Sequence, residues 1–209
     1  MSVSDTAAAP TVPPSAASAV APSAARRRSA PLVRDAVPAD FPAIRRVILA
    51  AYRQYADLIA RDIFLPYLAD LLDLDKHARH GRLLVVEADG RIRGFGAFYP
   101  DASVQGLGWP PGWASGRALA VHPDARGHGV ARALLAACER LARDCGAPVF
   151  AFHTASFMTD AIALYDRLGF CRAPEFDVDM AARYSRFGAA PITAIAYLRQ
   201  LAPERAACG

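Results

Sequence analysis

One stretch constrains this chain more than any other: "RALAVHPDARGHGVARALLAACERLARDCG", residues 117–146. It opens as an apolar run suited to a buried strand and ends as an amphipathic helix. Val130, Leu134, Leu135, Cys138, Leu141 and Cys145 recur at helical spacing, and Gly146 stands where a helix C-cap belongs. Between the two lies a turn with glycines at 127 and 129. A strand feeding a helix through so short a turn implies a sheet with helices packed on it. The first N–H groups of such a helix lack intrahelical acceptors, and its dipole adds partial positive charge there. Glycines let an anion approach that backbone, and Arg126, His128 and Arg132 add basic groups. The pattern suits a pyrophosphate; read alone, it equally suits a tight reversal with solvated arginines.

Two nucleotide-binding motifs are excluded. No GxxxxGK[ST] occurs, so this is not a Walker loop. Gly127 and Gly129 supply a G-x-G, but Arg132 occupies the third glycine position of the Rossmann fingerprint. The turn also follows the fourth predicted strand instead of opening a βαβ unit.

The rest of the chain supplies the sheet and its layers. "LVRDA" reads as a strand, followed by a helix bearing Phe41, Ile44, Ile48, Ala51, Tyr52 and Tyr55 on one stripe. A second helical stretch runs from about Asp57 to Ala78, with a break expected at Pro66. "RLLVVEADGRIRGFGAFYP" is a hairpin about Asp89-Gly90. "PVFAFHT" is a strand, Met158 to Leu168 a helix closed by Gly169, and "FCRAPEF" and "ITAIAYLRQL" are strands. The order β-α-α-β-β-β-α-β-α-β-β gives an α+β, three-layer α/β/α fold. Its centre is a mixed, mostly antiparallel sheet of about seven strands flanked by helices. The long connection "EFDVDMAARYSRFGAAP" reads either as a flap or as a homodimer contact.

Residues 1–30 are rich in Ala, Pro and Ser and form no apolar face, so a disordered tail is expected, with the domain spanning 31–205. Arg26–Arg28 lack the following apolar run of an export signal. No apolar stretch reaches the roughly 20 residues that span a bilayer. Net charge is +4, without a basic stripe interleaved with aromatics, so neither membrane nor nucleic acid is expected as partner. The four cysteines form no CxxC pair, and Cys138 and Cys145 sit too far apart on one helix to bridge. No metal site is expected, and free thiols point to a reducing cytoplasm.

The chain resembles the GCN5-related N-acetyltransferases. Their signature Q/R-x-x-G-x-G/A at a strand-to-helix junction is matched by Arg126, Gly129 and Ala131. "LAVHPDARG" is similar to the family's fourth strand and turn, and "ALYDRLGF" to its last helix. The resemblance covers Leu32 to about Leu201. It implies acetyl-CoA as co-substrate, with the backbone of Leu119, Ala120 and Val121 pairing with the pantetheine arm. Arg126, Gly127, His128, Gly129, Val130, Ala131 and Arg132 would cradle the pyrophosphate, and Tyr165 would be general acid to the departing thiolate. The implied activity is direct acetyl transfer to an amine, expected to be a small molecule. An acyl-CoA-binding module with weak catalysis and a transferase for a larger acyl group are the alternatives. By spacing alone, Tyr165 fits a packing role on its helix's apolar stripe.

Two positions depart from the family pattern. Ser115 stands where an acidic residue is common, and Met158 replaces an asparagine before the last helix. His153, His122 and Glu87 are candidates for the base, with His153 foremost; His77 and His80 read as surface residues. Tyr52, Tyr55 and Trp113 are the candidate acceptor contacts, with Trp109, Asp57, Asp62, Glu175 and Asp177 nearby in the fold expected. Aromatics with carboxylates would suit a cationic amine.

Overall fold

The computed structural model describes residues 31–180 and 192–201. The expected tail, the last residues of the expected domain and most of the long connection before the final strand lie outside them.

The first strand, β1 (Leu32–Asp35), leads into α1 (Phe41–Tyr52), α2 (Arg61–Leu72) and α3 (Leu74–His80). Then come β2 (Arg82–Ala88), β3 (Arg91–Tyr99), β4 (Ala114–Val121), α4 (Val130–Asp144), β5 (Val149–Ala155) and α5 (Thr159–Arg167). The last strands are β6 (Cys171–Arg172), β7 (Val178–Asp179) and β8 (Thr193–Gln200). They form one mixed sheet in the order β1-β2-β3-β4-β5-β8-β6, with β7 also on β8. Every pairing is antiparallel except β4 with β5.

Local chemistry explains the punctuation. Asp89 and Gly90 both take positive φ (52° and 67°), as a two-residue hairpin of the right twist requires. Gly146, at φ 75°, ends α4: its N–H bonds Arg143 and that of Ala147 bonds Ala142. Gly169 closes α5 the same way, through Asp166 and Tyr165.

Three sequence expectations need correction. The second helical stretch runs through Pro66 and breaks at Asp73, whose carboxylate accepts from the Lys76 N–H to start α3. Pro66 deletes one N–H on an exposed face, whereas the Asp73 cap rewards a new start. "FCRAPEF" holds only two strand residues, since Pro174 begins a short 3-10 turn. His77 is buried, not on the surface, with Nδ1 2.5 Å from the Tyr99 hydroxyl. The short α3 turns it inward against β3, a long-range contact invisible to helix polarity.

The core has two main halves. Leu84, Val86, Phe98, Leu134, Phe150 and Phe152 pack with α4 and α5. Ile44, Ile48, Val85, Phe95 and Ala97 pack with α1, α2 and α3. Each large apolar side chain so buried contributes about 1.5–3 kcal/mol.

The sheet is not continuous across its middle. β4 and β5 pair only at Ala114–Phe150 and Ser115–Ala151. Beyond that the strands part. β4 also bulges on its other edge: Ala97 faces Arg117 and Phe95 faces Ala120, so Ala118 and Leu119 together oppose Gly96 alone. Ala118 takes φ 56°, uncommon for a residue with a Cβ, and the bulge turns the strand away from β5. The Tyr52 hydroxyl, from the end of α1, lies 3.5 Å from the Leu119 carbonyl and donates to it.

Candidate active site

The parted strands open a cavity of about 710 Å³ that runs between the two layers. Leu119 and Val121 on β4, and His153 and Thr154 on β5, form its walls. Past Ser115 the edge of β4 facing β5 has no strand partner among the described residues, leaving backbone groups for an extended ligand.

At one end lies the glycine turn. Gly127 and Gly129 have φ of 74° and 79°, left-handed conformations that bring the chain directly into α4. The first bond of that helix runs from the Ala133 N–H to the Gly129 carbonyl, at 2.9 Å. The N–H groups of Val130, Ala131 and Arg132 therefore have no intrahelical acceptor. A Cβ at either glycine would meet no atom within 4 Å, so the turn is open to an approaching group, and its free N–H groups can receive an anion. Arg126 anchors it: its guanidinium donates to Gln54 Oε1 at 3.1 Å and the Ala51 carbonyl at 3.4 Å, at the end of α1. The described lining has four arginines (117, 126, 132 and 167) against one acid, Asp160, a balance suited to a polyanionic ligand.

The other end is the fork itself. His153 Nε2 lies 2.8 Å from the Phe176 carbonyl. A carbonyl only accepts, so Nε2 carries the proton and Nδ1 presents a lone pair. Nδ1 is buried with no hydrogen-bond partner among the described residues. Trp109 lies against the ring, centroids 4.4 Å apart. Burial first, aided by the charge of Arg117, lowers the His153 pKa from its ordinary value and keeps the imidazole neutral.

Tyr165 is buried beside Phe152, ring centroids 4.5 Å apart. Burial raises its pKa, and the hydroxyls of Tyr67 and Tyr55 raise it further, so its phenol stays a proton donor. Arg117 is held by Asp70, which Lys76 also holds. Burial opposes ionisation of Asp70, but the two cations outweigh it and keep its pKa at about 2.

Most of the expected site residues meet here. Tyr52, Tyr55, Leu119, Val121, Arg126, Gly127, Gly129, Val130, Ala131, Arg132, His153 and Tyr165 all line the cavity. Ala120 turns its side chain into the core under α1, although its backbone is on β4. His128 is exposed on the turn, outside the lining. Trp113 also lies outside it, packed with Trp109 and Phe176.

The other candidate bases are elsewhere. Glu87 is bound to Arg34 on β1, and His122 accepts from the Asp124 N–H at the start of a 3-10 turn. Ser115 is fully buried and donates to the Gly116 carbonyl. Met158 lines the cavity, its sulfur 3.6 Å from Thr154 Oγ1. None of Asp57, Asp62, Glu175 and Asp177 is in the lining. Arg117 was missed from the sequence; its signal was a lone arginine within an otherwise apolar strand.

Comparison with known proteins agrees with this architecture. The family model described as "Acetyltransferase (GNAT) family" matches residues 48–170. No curated protein sequence matches the chain. Among solved structures, a GNAT-family acetyltransferase from Desulfovibrio desulfuricans superposes with TM-score 0.59 at 21% identity, covering 82% of this chain and 99% of the other. PaiA N-acetyltransferase from Thermoplasma acidophilum, in complex with coenzyme A, gives 0.60 at 12% identity over 83% and 100%. The yncA structure from Salmonella typhimurium, with its cofactor acetyl-CoA, gives 0.54 at 23% identity over 83% and 95%. Among the described residues no helix is long and apolar enough to cross a membrane, and no group of metal-ligating side chains clusters. The family match spans more than half of the chain and includes its strand, turn and helix, and the chain belongs to the acetyltransferase (GNAT) family.

Proposed function

We propose that this protein moves the acetyl group of acetyl-CoA directly to a primary amine of a small molecule. The observation that carries this is the parted pair β4 and β5, with an anion cradle at one end and an unprotonated, buried imidazole nitrogen at the other. The pyrophosphate would rest on the N–H groups of residues 130–132, and the pantetheine arm would extend along the unpaired edge of β4.

An alkylammonium with pKa near 10.4 costs roughly 4–5 kcal/mol to deprotonate at pH 7. His153 Nδ1 accepts that proton, directly or through water, while Nε2 stays fixed on the Phe176 carbonyl. The amine lone pair then attacks the thioester carbonyl, the C–S bond breaks, and Tyr165 donates its proton to the thiolate; the second proton leaving the nitrogen restores the Tyr165 phenol, and His153 passes the first to solvent. Ser115, fully buried and engaged with a neighbouring carbonyl, takes no part.

Purified protein with acetyl-CoA and a panel of primary amines tests this. Acceptor-dependent thiol release with matching acetylated amine is expected. Tight CoA binding with no thiol release for any amine, or faster release from longer acyl thioesters, would overturn it.

A further inference from the structure

His153 is held in place by residues that do not themselves line the cavity. Its strand partner on β8 is Ala196, and Ala196 also anchors the turn that carries the Phe176 carbonyl. Just before that turn, the Ala173 N–H donates to the Ala196 carbonyl at 3.1 Å. Just after it, the Ala196 N–H donates to Asp177 Oδ1 at 2.8 Å. The carbonyl that receives Nε2–H is thus tied at both ends to the residue paired with His153.

The turn is also closed from within and from outside. Pro174 starts it with a fixed φ, and the Phe176 and Asp177 N–H groups donate to the carbonyls of Ala173 and Pro174. Arg172 donates to both carboxylate oxygens of Asp177 at 2.9 Å each, and to the Ala196 carbonyl at 2.5 Å. That guanidinium lowers the Asp177 pKa against the cost of burial, so the carboxylate stays ionised. Trp109, 3% exposed, covers the imidazole at a tilt of 35° and meets the Phe176 ring at 5.2 Å.

A neutral imidazole can carry its proton on either nitrogen, and its ring can turn over. A half-turn of this ring would set Cε1 on the Phe176 carbonyl. A proton on Nδ1 would leave no lone pair there for an incoming ammonium. Only the present orientation with Nε2 protonated satisfies the carbonyl, so the carbonyl selects both.

We infer that Asp177 is a positioning residue for His153. By tying the Pro174–Phe176 turn to Ala196 and Arg172, it fixes the Phe176 carbonyl, which keeps the proton on Nε2 and the Nδ1 lone pair available to the cleft. This rests on the acetyl-transfer reading above, in which Nδ1 takes the proton of the amine.

NMR of protein labelled at the histidine nitrogens tests the hold on the ring without any acceptor, the His153 signal being the one lost in His153→Gln. The wild type should show His153 protonated on Nε2, with a slowly exchanging proton. Asp177→Ala should speed that exchange by at least about tenfold and lower kcat by about tenfold, with KM for acetyl-CoA unchanged. Asp177→Asn keeps an acceptor for the Ala196 N–H but loses the ion pair. It should fall between the two, and it is read in the same way if the alanine variant does not fold. A wild-type proton on Nδ1, or exchange and kcat that do not change together in the variants, overturns this inference and leaves acetyl transfer standing. No turnover of any amine by the wild type overturns both.

Discussion

Arg117 on β4 and His153 on β5 each lie two residues past the last pair of the parallel ladder, Ser115 and Ala151, and both line the cavity that opens there. One brings a fixed positive charge, the other a buried nitrogen lone pair. The neutral imidazole is maintained by its surroundings: burial and the nearby guanidinium both disfavour the protonated ring.

His153 should therefore set the acid limb of the pH–rate profile. Its pKa is lowered, so the neutral form persists below the ordinary histidine range of about 6.5, and kcat/KM should fall only below that value. His153→Gln should cut kcat about 100-fold and remove this limb, with CoA affinity preserved. A limb retained in the variant would assign the titration to another group.

In the proposed reaction Tyr165 acts late, on the leaving sulfur. Tyr165→Phe keeps the ring that packs on Phe152 and deletes only the hydroxyl. Turnover should drop by about 100-fold with little change in CoA affinity or melting temperature. Unchanged turnover would leave Tyr165 as a core residue.

His77 gives the fold a distinct acid sensitivity. Burial, followed by the charge of Arg117, lowers its pKa to about 4. The unfolded chain takes up this proton near 6.5, so stability is lost as pH falls from about 6.5 to 4, amounting to about 3 kcal/mol. His77→Gln should be less stable at pH 7 yet show a flatter dependence in that window. Denaturant unfolding at a series of pH values checks this, and equal slopes for both proteins would contradict it.

Those residues also mark what a sequence reader can see. The switch from strand to helix, the hairpin at Asp89-Gly90 and the caps at Gly146 and Gly169 are local, because periodicity and glycine backbone freedom are written within a few residues. The glycine turn at 127 and 129 was legible for the same reason. The fork was not: it depends on a ladder that stops after two pairs and a bulge at Ala118, an alanine in a conformation no local signal announces. The hold on Arg117 joins residues 47 apart, and the Tyr99 contact that buries His77 spans 22 positions. The expected acceptor carboxylates came from chain segments near the site, but strand direction sends Asp177 to Arg172 instead.

The most direct test of acetyl transfer through this cleft is to follow a labelled acetyl group from acetyl-CoA in wild-type protein and in Gly129→Glu. Glutamate there would force a side chain into φ 79° and set a negative charge beside the start of α4. The wild type should deliver label to the amine in equal amount with released thiol. The variant, folded by circular dichroism, should lose CoA affinity by at least about tenfold and deliver correspondingly less label. Wild-type CoA affinity in Gly129→Glu, or label that stays on CoA in the wild type with every amine supplied, would contradict the assignment.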